Sequence, residues 1–177
     1  MSGDLTARLS IVHADITTLD VDAIVNAANS RLIPGGGVDG AINKAAGPEL
    51  AQAMMAIGGC PTGQAVITPG FKLKARHVIH TVAPVFALHA EGDVWCLLGD
   101  CYRNSLALAA EHGVASIAYP SLGTGAYGIP IEQACEAAVR TTSAVLRGGM
   151  RTLAVVFCCF SASDAEHYRE AMMRLKG

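Results

Sequence analysis

Residues 22–40, DAIVNAANSRLIPGGGVDG, place a short apolar run shortly before a glycine-rich segment. The run from Ala23 to Ala27 is continuous rather than alternating, which is typical of a strand covered on both faces. Gly35 to Gly40 match the spacing G-x-G-x-x-G, and a helix is predicted to begin within residues 35–47. A buried strand, a glycine loop and a helix in this order indicate an α/β fold.

Apolar runs of this kind recur along the chain, each bounded by turn residues. We predict one strand from each run: Leu9 to His13, Ala23 to Ala27, Ala65 to Thr68, His77 to Val82, Ser116 to Tyr119 and Thr152 to Cys158. Helical patterns separate several of these strands. Strands that alternate with helices over 177 residues predict a single domain, residues 1–177, built as an α/β three-layer sandwich.

Three helical patterns allow residues to be assigned. Downstream of residue 130, Glu136 and Arg140 pair at i,i+4, away from an apolar face formed by Ile131, Cys135, Ala138, Thr142 and Val145. A second helix is marked by Val94, Leu97, Leu98, Cys101 and Leu108. The last helix is predicted to begin with a capping box of Ser163 and Glu166 and to run to about residue 175.

Charge and composition exclude several classes of function. Thirteen Lys and Arg against fifteen Asp and Glu give a net charge of −2 with no basic run, which argues against a broad nucleic-acid surface. No uncharged run approaches the ~18 residues of a membrane helix, and the N-terminus lacks the pattern of a secretory signal. The six cysteines show neither C-x-x-C pairs nor zinc-finger spacing, so we predict reduced thiols in a cytoplasmic protein.

A second G-x-G-x-x-G match, Gly123 to Gly128, follows the strand that ends at Tyr119. Neither match has the acidic residue at a following strand end that a dinucleotide-binding fingerprint needs, which disfavours a nicotinamide-dependent oxidoreductase. Both segments offer backbone N–H groups close to the start of a helix. We interpret them as two cradles that grip one anion, such as a diphosphate, the alternative being tight strand-to-helix turns.

Polar side chains accompany the first loop. Asn26 and Asn29 lie at the end of the second predicted strand, where ligands bind in open α/β sheets, and Asp39 lies inside the glycine motif. An amide can orient a sugar hydroxyl, and a carboxylate can accept a proton from a hydroxyl or water. Structural alternatives remain open: Asn29 as a turn cap, Asp39 as a carboxylate at a helix N-terminus, and Asp15 as a turn residue.

Other kinds of site find less support. His77 and His80 are three residues apart in a predicted strand and point to opposite faces, so we predict no metal site. Cys135, Cys158 and Cys159 lie in apolar patterns, which favours core packing over thiolate catalysis.

Four segments taken together resemble the macrodomain family: ADIT at residues 14–17, DAIVNAANS at 22–30, GGGVDGAI at 35–42 and PSLGTGAYG at 120–128. The resemblance covers about residues 8–174 and is strongest to the bacterial O-acetyl-ADP-ribose deacetylase branch, which also includes mono-ADP-ribosyl hydrolases. It implies a three-layer α/β/α fold with a six-stranded mixed sheet and a cleft for ADP-ribose, with no cofactor. Ala14, where the family usually has Gly, and Ser161, where relatives often carry an acid, depart from the pattern near the adenine pocket.

The resemblance also implies roles for individual residues. Asp39 and Asn29 would be the catalytic pair at the distal ribose, with Asn26 beside them. Asp15, Ile16 and Phe160 would contact adenine. The diphosphate would be held by Gly36, Gly37, Val38, Ser121, Leu122, Gly123, Thr124, Gly125, Ala126 and Tyr127.

Two hypotheses of different classes follow. The first is a metal-independent hydrolase that converts O-acetyl-ADP-ribose to ADP-ribose and acetate, and that also removes mono-ADP-ribose from acidic side chains of modified proteins. The second is a non-catalytic reader of ADP-ribose. Asn29 and Asp39 together favour the hydrolase, because a reader needs the cradles but not a pair of polar groups at the ribose. The expected partners are ADP-ribose, its O-acyl esters and ADP-ribosylated proteins, with no membrane contact.

Overall fold

A computed structural model describes residues 4–150 and 152–177; residues 1–3 and 151, part of the predicted domain, lie outside the described residues. One sheet contains β1 (Leu9–His13), β2 (Ala23–Ala27), β3 (Ala65–Pro69), β4 (His77–Thr81), β5 (Ser116–Tyr119) and β6 (Ala154–Cys159). The strand order is β1-β6-β5-β2-β4-β3, with β3 antiparallel to β4 and the other pairs parallel. The predicted strands and the mixed α/β sheet are confirmed, with strand ends shifted by no more than two residues.

Six helices pack on this sheet in the described part of the chain: α1 (Leu5–Arg8), α2 (Gly37–Ala46), α3 (Pro48–Ile57), α4 (Glu91–Glu111), α5 (Ile131–Arg147) and α6 (Ala162–Lys176). The apolar faces predicted for α4 and α5 are confirmed, as is the Glu136–Arg140 pair at 2.8 Å. The sequence patterns did not predict α1 or α3. Gly47 separates α3 from α2 with φ +87°, and Pro48 occupies the first turn of α3, where a missing N–H costs nothing.

The capping box predicted for the last helix is wrong by two residues. Ser161 is the N-cap of α6, and its hydroxyl accepts the backbone N–H of Asp164 at 3.1 Å. Ser163 and Glu166 are exposed, and Glu166 pairs with Arg169 instead. Because β6 ends at Cys159, the chain turns into the helix earlier than the spacing of Ser163 and Glu166 suggests.

The core consists of two clusters on opposite faces of the sheet. One joins α4, α5 and α6 to strand residues such as Val25, Ile79 and Phe157. The other joins α2 and α3 to Ile24 and Val78, the neighbours along β2 and β4. Alternate strand residues thus face alternate layers, which makes the three-layer arrangement. None of the helices within residues 4–150 and 152–177 has the length and apolarity needed to cross a membrane.

The topology places a crevice between β2 and β5. These strands are parallel neighbours, yet the chain leaves β2 towards α2 on one face and leaves β5 towards α5 on the other. The connections therefore diverge above the carboxyl ends of the strands. In open α/β sheets, ligands bind at such a switch point.

Candidate functional site

A cavity of about 740 Å³ lies at the carboxyl ends of the parallel strands. Its volume falls within the range of roughly 300–1,000 Å³ that is typical of small-molecule sites. The wall comes from the segments that follow β1, β2, β4 and β5 and from the end of β6. The cavity therefore extends across the sheet and suits an elongated ligand.

Most residues predicted to bind a ligand line this cavity: Asp15, Ile16, Asn29, Gly36, Gly37, Val38, Asp39, Ser121, Gly123, Thr124, Gly125, Ala126, Tyr127 and Phe160. Two others do not line it. Leu122 is fully buried in the cluster with α4, α5 and α6. Asn26 is also fully buried and donates its amide N–H to Asp39 at 2.7 Å. Asn26 thus lies behind the cavity wall and contacts the site only through Asp39.

Three carboxylates line the cavity, and its lining includes no Lys, Arg or His among the described residues. Asp15 and Asp164 lie at the β1 and β6 end, whereas Asp39 lies beside β2. Coulomb attraction from side chains therefore cannot hold an anion here. Any phosphate in this cavity must be bound by backbone N–H groups, helix ends and neutral side-chain donors.

The first cradle is the N-terminus of α2. Gly36 is the N-cap, Gly37 and Val38 begin the helix, and their N–H groups have no partner among the described residues. The helix dipole adds roughly half a positive charge at this end. These donors at the cavity wall are therefore available to water or to a bound anion.

The second cradle is the loop after β5. Backbone N–H groups of residues 121–127 have no hydrogen-bond partner in the described chain, and the buried Ser121 hydroxyl has none either. The loop is closed by the N–H of Ile129, which donates to the carbonyl of Gly123 at 2.9 Å. Gly123 has φ +79°, and a Cβ there would lie 2.4 Å from the Ile129 side chain, so this turn requires glycine. Since α5 begins only at Ile131, this cradle relies on the loop itself rather than on a helix end.

Asp39 is a buried carboxylate whose two oxygens are both engaged. Oδ1 accepts N–H groups from the amides of Asn26 at 2.7 Å and Asn43 at 3.0 Å, and Oδ2 accepts the backbone N–H of Gly35 at 2.8 Å. Only 4% of Asp39 is exposed, in the cavity wall. Because a carboxylate offers about four acceptor positions, one remains for a water or a hydroxyl. Asp39 therefore holds the first loop and still faces the ligand space.

Asn29 and Asp15 each hydrogen-bond to the nearby backbone and also line the cavity. Asn29 donates to the carbonyl of Ile33 at 2.7 Å and accepts the Ile33 N–H at 3.3 Å, as expected of a turn cap. Its amide keeps one further N–H and one lone pair for a ligand. Asp15 caps the short turn Ile16–Thr18 with Oδ1, which accepts the backbone N–H of Thr17 at 2.9 Å. Both structural interpretations are confirmed, and neither prevents ligand contact.

The family described as Macro domain matches residues 25–138 of the sequence, which include the end of β2, the first glycine loop and the loop after β5. The chain belongs to the Macro domain family. Its relatives include a Macro domain-containing protein of Ralstonia nicotianae, 55% identical over 167 residues that cover 94% of this chain and 95% of the relative. The O-acetyl-ADP-ribose deacetylase of Salmonella typhimurium is 49% identical, with 93% of each chain covered.

The fold agrees with solved macrodomains. The structure of a Trypanosoma brucei macrodomain in complex with ADP-ribose superimposes with a TM-score of 0.89 at 37% identity, covering 97% of this chain and 72% of that one. The family and the resemblance inferred from the sequence motifs are therefore confirmed.

Sequence reasoning had placed Gly35 in the first cradle and Ala14 near the adenine pocket, and both line this macrodomain cavity. It missed other lining residues: Ala27, Ala28, Ala41, Ala83, Pro120, Cys158 and Asp164. Asp164 had a signal, because Ser161 and Asp164 form an S-x-x-D cap directly after β6. Cys158 donates its thiol to the carbonyl of Ala14 at 3.3 Å, and burial raises its pKa to about 11. It therefore stays protonated at neutral pH and acts as a wall residue.

Within residues 4–150 and 152–177, no group of three or more His, Cys, Asp or Glu side chains is placed to hold a metal ion. His80 is fully buried and faces Asn26 and Thr68, and its burial lowers its pKa to about 4. His77 lies near His112 at the opposite, amino end of the strand. The macrodomain cavity thus offers polar side chains and backbone donors as its chemical groups.

Proposed function

We propose that this macrodomain binds ADP-ribose and hydrolyses the acetyl ester of O-acetyl-ADP-ribose, releasing ADP-ribose and acetate. The observation that carries the proposal is the pairing of two arrays of free backbone N–H groups with Asn29 and Asp39 in one cavity. The arrays suit a diphosphate, and the Asn–Asp pair suits a sugar hydroxyl with an ester next to it. The Salmonella typhimurium relative named O-acetyl-ADP-ribose deacetylase supports the same reaction.

The strand order supports the orientation of the ligand. Asp15 and Phe160 follow the neighbouring strands β1 and β6 at one end of the cavity, and Asn29 follows β2 towards the other. Three strand spacings separate β1 from β2, about 14 Å at ~4.8 Å each. The second cradle, the loop after β5, lies between these ends because β5 lies between β6 and β2 in the sheet. The first cradle follows Asn29 in the connection after β2. We therefore place adenine near Phe160 and the distal ribose near Asn29.

In the proposed reaction, the oxygen of a water bonds to the acyl carbon and the bond from that carbon to the ribose oxygen breaks. One water proton ends on the ribose oxygen, which leaves as a hydroxyl, and the other is released to solvent when the acetic acid formed ionises to acetate. Asn29 orients the ribose hydroxyls through its remaining N–H and lone pair, and Asp39 holds the water at its remaining acceptor position. Since Asp39 already accepts three hydrogen bonds, we assign most of the acceleration to positioning rather than to proton abstraction. ADP-ribose attached to an acidic side chain carries a comparable ester, so modified proteins form a second substrate class.

One observation favours the alternative of a non-catalytic reader. Both oxygens of Asp39 are engaged inside the protein, as expected for a residue that only shapes the first cradle. A reader would bind ADP-ribose equally well and leave its esters intact.

The deciding experiment is to incubate the protein with O-acetyl-ADP-ribose and measure acetate release, with calorimetry of ADP-ribose binding alongside. We expect release by the parent and a loss of about 100-fold or more in kcat for Asp39→Ala. The matched control is Asp20→Ala, because Asp20 is exposed and lies outside the cavity wall. Binding without release would establish the reader, and equal release by parent and Asp39→Ala would remove Asp39 from the reaction.

A further inference from the structure

A row of buried polar side chains crosses the sheet and ends at the cavity. It runs from Thr68 on β3 to His80 on β4, Asn26 on β2 and Asp39 on α2. His80 and Asn26 are fully buried, and Thr68 and Asp39 are each 4% exposed. Buried polar groups cost stability unless they are hydrogen-bonded, so the contacts within this row determine how each side chain is held.

Strand register brings the row together. Asn26 lies opposite His80 in the parallel pair β2 and β4, and Thr68 is two residues from Val66, the partner of His80 on β3. Diagonal neighbours across strands are within side-chain reach. All three side chains lie on the face of the sheet that packs against α2 and α3. Ile24 and Val78, two residues before Asn26 and His80, belong to the core cluster on that face, and Val78 is also the strand partner of Thr68. The row therefore reaches Asp39 from the protein interior, behind the cavity wall.

The chemistry of Asp39 determines where the protons in this row lie. An ionised carboxylate only accepts, so Asn26 must present Nδ2 to it, at 2.7 Å. The same Nδ2 is 3.0 Å from Nδ1 of His80, which must then be the unprotonated nitrogen. Nε2 carries the proton and donates to the Thr68 hydroxyl at 2.9 Å. Neutral His80 is the only form that fits, because a protonated Nδ1 would face the N–H of Asn26.

The orientation of Asn26 depends on its two donor contacts. Its Oδ1 is buried with no hydrogen-bond partner among the described residues, so nothing on that side holds the amide. With the contact to His80 removed, only the bond to Asp39 would remain, and the amide could rotate. Asp39 would then lose a donor of fixed direction on Oδ1, while its Oδ2 holds the Gly35 N–H of the first loop.

We propose that His80 is a positioning residue for the hydrolysis proposed above, acting through Asn26 on Asp39. Its Nδ1 holds the amide of Asn26, and that amide holds the carboxylate that contacts the reacting water. His80 is fully buried and lies outside the cavity wall. The inference rests on the proposed function for its kinetic effect, and on the hydrogen-bond geometry alone for its structural effect.

Substitutions at His80 distinguish the contact that Nδ1 makes with Asn26 from the contact that Nε2 makes with Thr68. Asn places an acceptor oxygen as many bonds from Cβ as Nδ1, and Gln places an amide nitrogen as many bonds from Cβ as Nε2. His80→Asn therefore preserves the contact to Asn26, whereas His80→Gln preserves only the contact to Thr68 and His80→Leu preserves neither. The control is Thr81→Val on the same strand, which removes a part-buried hydrogen bond to the carbonyl of Gln64 that is unconnected with the row.

The test measures kcat, KM and ADP-ribose Kd for folded fractions of all variants, together with ¹⁵N spectra of the imidazole and the Gly35 amide. We expect kcat to fall about tenfold or more in His80→Gln and His80→Leu, with Kd changed less than about threefold and His80→Asn close to the parent. Unchanged kcat in His80→Gln and His80→Leu would overturn the proposal, as would equal losses in His80→Asn, His80→Gln and Thr81→Val.

The spectra distinguish failure of this inference from failure of the proposed function. If the parent releases no acetate, hydrolysis is refuted, and the spectra alone then decide whether His80 positions Asp39. The expected result is a proton on Nε2 of His80 and a Gly35 amide shift that changes in His80→Gln but not in His80→Asn. A proton on Nδ1, or a Gly35 shift that is the same in every variant, would overturn it.

Discussion

At the scale of single residues, Asp39 both holds the first glycine loop and faces the ligand space. Its position in the sequence does not distinguish these two roles. It follows the glycines of the first loop, so a carboxylate near a helix N-terminus was predicted from the motif. The three donors that occupy it, from Asn26, Asn43 and Gly35, come from β2, the next turn of α2 and the loop. Their meeting requires that α2 pack against β2, which no local pattern shows.

Substitutions at Gly36 and Gly37 can distinguish two effects on the first cradle: steric blocking by an added side chain, and strain in the backbone. Gly36 has φ −93° and ψ −167°, which any residue adopts, and a Cβ there would meet no atom within 4 Å. Gly37 has φ +57°, which costs a residue with a side chain roughly 1–2 kcal/mol. We expect Gly36→Val to weaken ADP-ribose binding by about tenfold or more and to lower the unfolding free energy by no more than about 1 kcal/mol, because Val is a poorer N-cap than Gly. Gly37→Val should also weaken binding, and it should lower the unfolding free energy by roughly 1–2 kcal/mol through backbone strain.

Calorimetry and urea unfolding measure these two effects. Gly92→Val is the matched control, because a Cβ at Gly92 on α4 would also meet no atom within 4 Å, and Gly92 lies outside the cavity wall. Unchanged affinity in Gly36→Val would contradict the placement of the diphosphate at the N-terminus of α2.

At the scale of elements, the start of α6 shows how a correct motif can be assigned to the wrong residues. Two overlapping patterns, Ser161-x-x-Asp164 and Ser163-x-x-Glu166, both fit an N-terminal cap. The end of β6 at Cys159 selects the first, and this choice also brings Asp164 to the cavity. The position of a helix start thus depends on where the preceding strand leaves the sheet.

The two serines make a matched pair for testing this choice. Ser161→Ala removes the acceptor for the Asp164 N–H, so we expect the free energy of unfolding to fall by about 1 kcal/mol. Ser163→Ala changes an exposed side chain in the first turn and should have an effect within ~0.5 kcal/mol. Urea unfolding of both variants measures the difference. A larger loss in Ser163→Ala would contradict the observed cap.

At the scale of the whole molecule, the two core clusters share one sheet, and we propose that they unfold together as a single domain. Aromatic rings link elements distant in sequence: Phe157 lies 5.0 Å from Tyr168 and 6.5 Å from Tyr119, between ring centroids. Both clusters pack against the same strands, so loss of packing on one face of the sheet would also destabilise the cluster on the other face. A local change in proton affinity should therefore register in the stability of the entire fold.

His80 provides such a change. Burial lowers its pKa from 6.5 to about 4, so between these values the unfolded chain binds a proton that the folded chain excludes. This contribution to stability is present above about pH 6.5 and is lost as pH falls towards about 4. At ~1.36 kcal/mol per tenfold change in proton affinity it amounts to about 3 kcal/mol.

The measurement compares urea unfolding of the parent and His80→Gln between pH 7 and pH 4. We expect the parent to lose about 3 kcal/mol more than His80→Gln over this range. Asp22, whose pKa is lowered by the Ala115 N–H and Arg76, titrates in both proteins and cancels in the comparison. Parallel pH profiles would show that His80 does not carry this dependence.

The strands, the two glycine loops and the family all follow from the amino-acid sequence without the fold. Strand segments made mostly of apolar residues, such as Ala23–Ala27, are stabilised by burial on both faces, and the ordered motifs around Asn29, Asp39 and Gly123 are local in sequence. Three further facts required the folded chain: Asn26 lies behind Asp39, His80 faces Asn26 and Ser161 caps α6. Asn26 and His80 are 54 residues apart, and their contact depends on strand register and layer packing, which arise from the whole fold.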